Sequence, residues 1–173
     1  MKNIYDFTDT KKVAIFSVHL AEKILGIEDS LEVIFKENSG FVQEDISAAF
    51  IKKGYYIAFN ESFLKSASPI EIMITGFHEV RHAYQYMQIE YGNKLPFKYR
   101  DDPGIINEWE KNFNDSRKVN EMTREEYLNK ATEIDAIAFS SYLADKLLNV
   151  KQIIPEEIMN KVSIRILALK LLF

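Results

Sequence analysis

Two histidines and a glutamate lie close together in the chain, at the spacing of a metal-binding helix. The stretch 76–85 reads GFHEVRHAYQ and contains the pattern H-E-x-x-H as His78, Glu79 and His82. Residues four apart on a helix lie one turn apart on the same face, so both imidazoles can point at one ion. Glu79 follows His78 by about 100° around the helix, which places its carboxylate beside the metal, where it can take a proton from a metal-bound water. The alternative is a buried helix that carries two histidines and no metal.

The residues around this motif predict a long helix that is largely buried. Ser68 is the expected N-cap, Pro69 suits the first helical position, and Glu71 closes a capping box with the serine. Gly92 and the asparagine after it predict the end of the helix. Apolar side chains cover one side of the helix and flank the histidines: Ile70, Met73, Phe77, Val80, Tyr84 and Met87 on the side, Ile74 and Ile89 on the flanks. A helix that is apolar nearly all round is a central one, so it can hold metal ligands rigidly.

A third metal ligand is expected from a later helix. Thr123 and Glu126 form another capping box, which predicts a long helix that ends near Asn149. In this helix Glu133 shares a face with small and apolar residues, where a carboxylate is costly to bury unless a cation pairs with it. Asp135 lies about 200° away around the helix, so the two acids cannot face one ion, and the longer Glu133 is favoured as the ligand. The alternative is that Glu133 is a surface acid.

Composition limits the kind of metal site and the kinds of partner. The 173 residues are enough for a real core, and we predict a single domain over residues 1–173. The absence of cysteine excludes thiolate ligands, so a metal must use histidine and carboxylate, a set that favours zinc. The net charge of -4 gives no basic surface for nucleic acid or an anionic membrane. Residues 1–10 carry no apolar leader and no run has transmembrane length, so we expect a cytoplasmic location.

The segments before the motif predict one helix and a small sheet. Residues 9–25 have the apolar spacing of a helix that Gly26 ends, and this helix carries His19, the third histidine, which is more simply a hydrogen-bonded residue than a ligand. Three short strands are expected at 31–35, 46–51 and 55–59, the last two forming a hairpin. An extended peptide substrate could pair with an exposed edge of this sheet, and an edge strand without a partner is the alternative.

Two further segments follow the motif helix and frame the second capping box. Residues 93–120 contain many turn-forming residues, including Pro96, and a short helix is expected at 105–113 around Trp109. So long a connection either borders an active cleft or is a packed excursion. Residues 154–173 predict a last amphipathic helix, whose very apolar end packs on the core by default or contacts another subunit.

The two motif helices resemble those of a known peptidase family. The stretches HEVRH at 78–82 and EIDAIAF at 133–139 resemble the minimal zincin-like metallopeptidases of the ImmA/IrrE type, especially small relatives carried by phages and mobile elements. The resemblance covers about residues 45–145 and implies His78, His82 and Glu133 as zinc ligands, with Glu79 as the general base. It also implies an α+β, zincin-like fold. In that fold a small antiparallel or mixed sheet of three to four strands packs on a central HExxH helix, and a second long helix supplies the third ligand. Arg81 departs from the family pattern, which commonly has a small residue such as glycine there.

These features lead to an expected function and to two alternatives. The expectation is a zinc metallopeptidase that hydrolyses peptide bonds through a metal-activated water, with a protein or peptide as substrate and a regulatory protein as one option. Stabilising the oxyanion that forms at the attacked carbonyl group needs a further side chain, and the sequence favours none of five candidates: Arg81, Tyr84, Tyr86, Tyr127 and Tyr142. The alternatives are a metal-binding, non-catalytic module that binds a partner protein, and a small interaction domain with no metal.

Overall fold

The computed structural model describes residues 8–28, 30–41, 46–92, 100–115, 117 and 119–173 of the chain. Over these residues the protein is α+β, with far more helix than strand. The chain divides into two compact units, Met1–Val80 and Arg81–Phe173, and the division falls inside the longest helix. The prediction of one domain over residues 1–173 stays a prediction.

The first unit begins with a helix whose two ends have clear local causes. Helix α1 spans Thr10–Leu25, and the side chain of Asp9 accepts hydrogen bonds from the backbone of Lys11 and Lys12 at 3.1 and 3.2 Å. These bonds satisfy two of the amide groups that a helix leaves unpaired at its start. Gly26 ends the helix in the left-handed region, with φ at 70°. The predicted helix over 9–25 is confirmed.

Three strands of the first unit form a small mixed sheet. They are β1 (Glu32–Lys36), β2 (Ala48–Ile51) and β3 (Tyr56–Asn60). Over the described residues the strand order is β1-β3-β2, with β1 parallel and β2 antiparallel to the central β3. Ile57, Ala58 and Phe59 of β3 are fully buried, as expected for a central strand. The predicted strands, the hairpin and the mixed sheet are confirmed, and β2 lies at an edge.

The motif helix follows the sheet closely. A short helix, α2 (Glu61–Ser66), leads into α3, which spans Pro69–Tyr91. The backbone N–H of Ser68 donates to Glu71 Oε2 at 2.7 Å, and the backbone N–H of Glu71 donates to Ser68 Oγ at 3.3 Å, so the predicted capping box is present. The predicted buried side is correct except for Ile70, which is 42% exposed because it stands in the first turn.

Within the first unit, α1 approaches the start of α3 very closely at Gly76. A Cβ atom built there would lie 1.9 Å from Ser17 Oγ and 2.8 Å from Ser17 Cβ. Ser17 is buried, and its hydroxyl donates to the Ala14 carbonyl at 2.7 Å. Only a residue without a side chain fits against α1 at this position, two residues before His78.

The second unit carries the remaining helices. Helix α4 spans Pro103–Phe113, with Asp102 as its N-cap, and it buries Trp109 completely. The predicted helix around the tryptophan is confirmed, and the burial of Trp109 supports the packed excursion. The predicted turn at Pro96 lies outside the described residues. So do residues 1–7 of the stretch 1–10, in which no apolar leader is expected.

The single long helix predicted from Thr123 to Asn149 is wrong. The capping box is present, but it opens the short α5 (Arg124–Leu128); α6 (Ala131–Leu143) begins separately, and a π-helical turn (Ala144–Leu148) follows it. The break depends on a distant residue, since the Asn112 side chain of α4 accepts the Thr132 backbone N–H at 3.2 Å. One of the free amides at the start of α6 is thereby satisfied, which lets a new helix begin there.

The last helix has one buried and one exposed apolar face. Helix α7 spans Glu156–Leu172 and packs along α6 through four buried side chains: Ile158, Val162, Arg165 and Leu169. The predicted core packing is therefore correct for that face. Ile164, Leu167 and Leu171 stay more than half exposed. In the part of the chain that the structure describes, no helix has both the length and the hydropathy needed to cross a bilayer.

Candidate metal centre

The structure brings the three predicted metal ligands together. His78, His82 and Glu133 each offer one ligand atom, and these atoms all lie within 4.8 Å of one another. Glu133 stands in the first turn of α6 and is only 7% exposed, so the alternative that it is a surface acid is wrong. Its Oε1 lies 3.3 Å from His82 Nε2. His19, by contrast, is exposed on α1 and is not a member of this group.

One pair of donor atoms has the spacing expected around a tetrahedral zinc ion. Zinc binds imidazole nitrogen at about 2.0–2.1 Å and carboxylate oxygen at about 2.0–2.2 Å. Two such ligands at a tetrahedral angle lie about 3.3–3.5 Å apart, which is the separation of His82 Nε2 and Glu133 Oε1. Two imidazoles and one carboxylate form a set typical of catalytic zinc sites, where a fourth position stays open. The residues present therefore fit the ion that the sequence predicts.

Glu79, the predicted general base, is held by the edge strand. Its side chain is buried, and its Oε2 accepts a hydrogen bond from the backbone N–H of Phe50 at 2.7 Å. Phe50 belongs to β2, which pairs with β3. In an antiparallel pair, alternate residues point their N–H and C=O groups away from the partner strand, so Phe50 turns these groups towards the outer edge. The carboxylate of Glu79 is thus fixed at the edge that β2 forms in the described part of the sheet.

Gln85 is a polar residue of this site that the sequence did not reveal. It is completely buried on α3, and its Oε1 lies 3.0 Å from His82 Nδ1. Its Nε2 lies 2.9 Å from the Thr132 carbonyl and 2.6 Å from Asp135 Oδ2. Gln85 stands three residues after His82, so the two side chains share a face of the helix. That spacing was the available signal, but the partners in α6 could not be read from sequence.

Four charged side chains form a buried cluster next to this glutamine. Arg81 donates to Asp135 through Nε at 2.7 Å and through Nη2 at 3.1 Å, and its Nη2 also donates to Asp101 at 3.0 Å. Arg165 of α7 donates to Asp135 at 2.6 Å and also to Asp101. Arg81 is completely buried, and Arg165 is 9% exposed. Two cations and two anions therefore balance one another in the interior of the second unit.

The charges of this buried cluster shift one another's ionisation. Burial by itself raises the pKa of Asp135, but the guanidinium groups of Arg81 and Arg165 outweigh it, and the pKa lies below its ordinary value. The pKa of Arg81 is raised: burial lowers it, and the Asp135 and Asp101 carboxylates more than compensate. Asp135 is thus an ion-pair residue, in agreement with its predicted direction away from the metal.

Two of the candidate oxyanion residues, Arg81 and Tyr84, make contacts within the buried cluster. The guanidinium carbon of Arg81 lies 4.4 Å from the ring centre of Tyr84, close enough for a cation–π contact. Tyr84 is fully buried, and burial raises the pKa of its hydroxyl, with a hydrogen bond to Asp101 adding to the shift. Arg81, which departs from the family pattern, therefore binds the acid cluster of its own unit.

Comparisons with models of protein families, with curated proteins and with solved structures find no match to this chain. The description of the site therefore depends on its own geometry. The resemblance to ImmA/IrrE-type peptidases and the zincin-like arrangement of the fold stay predictions.

Proposed function

We propose that this protein is a zinc-dependent metallopeptidase of the ImmA/IrrE type, with a zincin-like fold. The observation that carries the proposal is the convergence of His78, His82 and Glu133, whose ligand atoms lie within 4.8 Å of one another. In the proposed site these three residues hold the ion. Zinc supplies a Lewis acid that lowers the pKa of a water molecule and polarises a carbonyl group.

Glu79 is the proton carrier of the proposed reaction. Its carboxylate accepts a proton from the attacking water and passes it to the leaving amine. The hydrogen bond from the Phe50 backbone N–H holds one oxygen of Glu79 at 2.7 Å, which limits the directions in which the carboxylate can point. Because Glu79 is buried, little bulk water competes for this proton.

The edge strand supports a protein or peptide as the substrate class. The outer edge of β2 carries the backbone groups of Phe50, and Glu79 lies at that same edge. An extended peptide that pairs with β2 would run past the Glu79 carboxylate, which has to pass the proton taken from water to the leaving amine of that peptide. We further propose a cytoplasmic location, in keeping with the absence of cysteine. The substrate sequence and any regulatory protein are left open.

The first experiment measures the zinc content of the purified protein after zinc loading and dialysis. We expect one zinc per chain in the wild type and in His19→Ala, which removes an exposed histidine, and less than one tenth of that amount in His78→Ala. Equal zinc in the wild type and His78→Ala would contradict the proposed metal site.

The second experiment measures cleavage of a broad peptide library by the zinc-loaded protein. Glu79→Gln keeps the shape of the side chain but removes the base, and we expect activity to fall by about 100-fold or more. Glu90→Gln, at an exposed position of the same helix, is the control and should keep full activity. Zinc binding without cleavage by the wild type would favour the metal-binding, non-catalytic module.

A further inference from the structure

We propose that Gln85 is a positioning residue that fixes His82 in the tautomer with the proton on Nδ1, so that Nε2 presents its lone pair to the ion. This inference depends on the proposed function for the identity of the ion. The tautomer can be tested apart from the ion in metal-free Glu133→Gln, in which no carboxylate competes for a proton on Nε2. Every contact used below lies within the second unit, at residues 81–173.

The first step is the orientation of the Gln85 amide. One end of this amide lies 2.9 Å from the Thr132 carbonyl oxygen and 2.6 Å from Asp135 Oδ2. A carbonyl and an ion-paired carboxylate both accept hydrogen bonds and cannot donate them. The end that meets them must therefore be the NH₂ group, whose two hydrogens match two acceptors. The oxygen of the amide must be the end that points at His82.

The second step is the position of the proton on His82. The amide oxygen of Gln85 lies 3.0 Å from His82 Nδ1, and an amide oxygen can only accept. A hydrogen bond at this distance requires a hydrogen on Nδ1. When the ring is neutral it carries a single N–H, so the other nitrogen, Nε2, then holds a lone pair. Nε2 lies 3.3 Å from Glu133 Oε1, and in this tautomer both atoms are acceptors, an arrangement that a cation held between them would satisfy.

The third step is the rigidity of the arrangement. Gln85 is completely buried, and the carboxylate that orients it is held from two sides by guanidinium groups. Asp135 accepts three hydrogen bonds from them, at 2.7 and 3.1 Å from Arg81 and at 2.6 Å from Arg165. Rotating the Gln85 amide by half a turn would bring its oxygen against Asp135 and its NH₂ group towards the imidazole. The ion cluster therefore determines the orientation of the amide, and the amide determines the tautomer of the ring.

This chain of contacts explains why a buried, salt-bridged cluster stands beside a metal ligand. Partners that hydrogen-bond the second nitrogen of a metal-binding histidine orient the ring and fix its tautomer, and their loss typically lowers metal affinity by about 10–100-fold. Gln85 contacts His82, so it acts through that residue and not on the ion. Arg81 and Arg165 act one step further away, through Asp135.

The tautomer can be measured by nitrogen-15 NMR of the histidine rings in the metal-free protein. Spectra are recorded for Glu133→Gln, whose neutral amide can meet either tautomer of the ring, over a pH series that reaches neutral His82. The His82 signals are assigned by their loss when His82→Ala is added to this variant. We expect neutral His82 to carry its proton on Nδ1. A neutral ring protonated on Nε2 would overturn the inference whether or not the protein binds zinc or cleaves peptides. Conversely, an Nδ1–H ring together with a wild-type protein that does not bind zinc would sustain the inference and remove the proposed function.

Two substitutions of Gln85 separate positioning from packing. Gln85→Met has a similar length but no polar atoms, so we expect loss of the Nδ1–H preference and about 10–100-fold weaker zinc binding. Gln85→Glu keeps an acceptor for Nδ1–H but places a second acid beside Asp135; we expect a lower midpoint of unfolding and retention of the tautomer. Gln88→Met, at another buried glutamine of α3, is the control and should leave the tautomer and the zinc affinity unchanged. Retention of both properties in Gln85→Met would overturn the inference.

Discussion

Two buried acids, two residues apart in α6, have different surroundings. Asp135 accepts hydrogen bonds from two guanidinium groups, which hold its charge in the interior. Glu133 is buried nearly as deeply, but it meets the imidazole of His82 at 3.3 Å. A buried carboxylate is stable when a fixed cation faces it, and an imidazole is a fixed cation only when it is protonated. The comparison teaches that burial of an acid does not by itself indicate a metal ligand, and that the partners of the carboxylate have to be known as well.

The largest expected effect concerns Asp135 and the stability of the fold. Asp135→Asn keeps the shape of the side chain and removes its charge, which leaves two buried guanidinium groups with Asp101 alone. Breaking a buried pair in this way typically costs about 3–5 kcal/mol, and we expect a loss of that size in urea unfolding of the metal-free protein.

The control for Asp135→Asn is an acid whose ion pair is exposed. Glu108 lies 2.6 Å from Lys111 at the surface of α4, and Glu108→Gln should cost less than about 1 kcal/mol. If the two substitutions lower the stability equally, the buried cluster does not have the structural importance that the comparison assigns to it.

The intermediate effect concerns Glu133, whose substitution should weaken zinc binding and leave the stability of the metal-free protein nearly unchanged. Glu133→Gln removes a ligand charge, and we expect zinc affinity to fall by more than about 100-fold, a larger loss than for a residue that only orients a ligand. Added zinc at about 100 times its dissociation constant should stabilise the wild type by about 2.7 kcal/mol and leave the variant unchanged. Without metal, the urea unfolding of Glu133→Gln should lie within about 1 kcal/mol of the wild type. Titration calorimetry measures the zinc affinity, and urea unfolding with and without zinc measures the stability. A large loss of stability without metal would show that Glu133, like Asp135, is needed for the fold.

The smallest effect concerns a third buried acid, Glu22 of α1, which accepts a hydrogen bond from the Leu31 backbone N–H. Burial raises its pKa, and the Leu31 bond and the nearby His19 only partly offset this. A raised pKa in the folded state favours the neutral form. The contribution to stability is therefore complete below the unfolded pKa of about 4.3 and is lost as the pH rises through the folded value.

Glu22→Gln tests this sign directly. The amide keeps an acceptor for the Leu31 N–H and carries no charge. At pH 7 we therefore expect the free energy of unfolding of Glu22→Gln to exceed that of the wild type by up to about 1 kcal/mol. The difference should shrink towards zero as the pH is lowered to about 4. Thermal unfolding over a pH series measures it, and a variant that is less stable at pH 7 would show that the Leu31 bond needs the carboxylate.

Local patterns were enough to predict the motif helix and the acid that meets it. The capping box at Ser68 and Glu71 placed His78 and His82 well inside α3, where their spacing is dependable. The geometry of a helix also predicted that Glu133 and Asp135 point in different directions. In the structure they have different partners, His82 and Arg81. These predictions needed only the periodicity of one helix at a time.

Other features that depend on contacts between helices were not predicted. The break between α5 and α6 is stabilised by Asn112, which comes from α4, and no property of residues 123–149 alone announces it. Gln85 reads from sequence as one more polar residue, since its role depends on Thr132 and Asp135 some fifty positions later. The ion pairs of Arg81 with Asp101 and Asp135 could not be read from sequence either, because both acids lie on other segments of the chain.

The break before α6 has a consequence for Glu133 itself. Because α6 begins at Ala131, Glu133 is in its first turn, whereas one continuous helix from Thr123 would have placed it in the interior. The aligned peptide dipoles leave a partial positive charge at the start of a helix, and this favours an anion there. The interruption therefore gives the carboxylate an electrostatic support from the backbone that is present before any metal arrives.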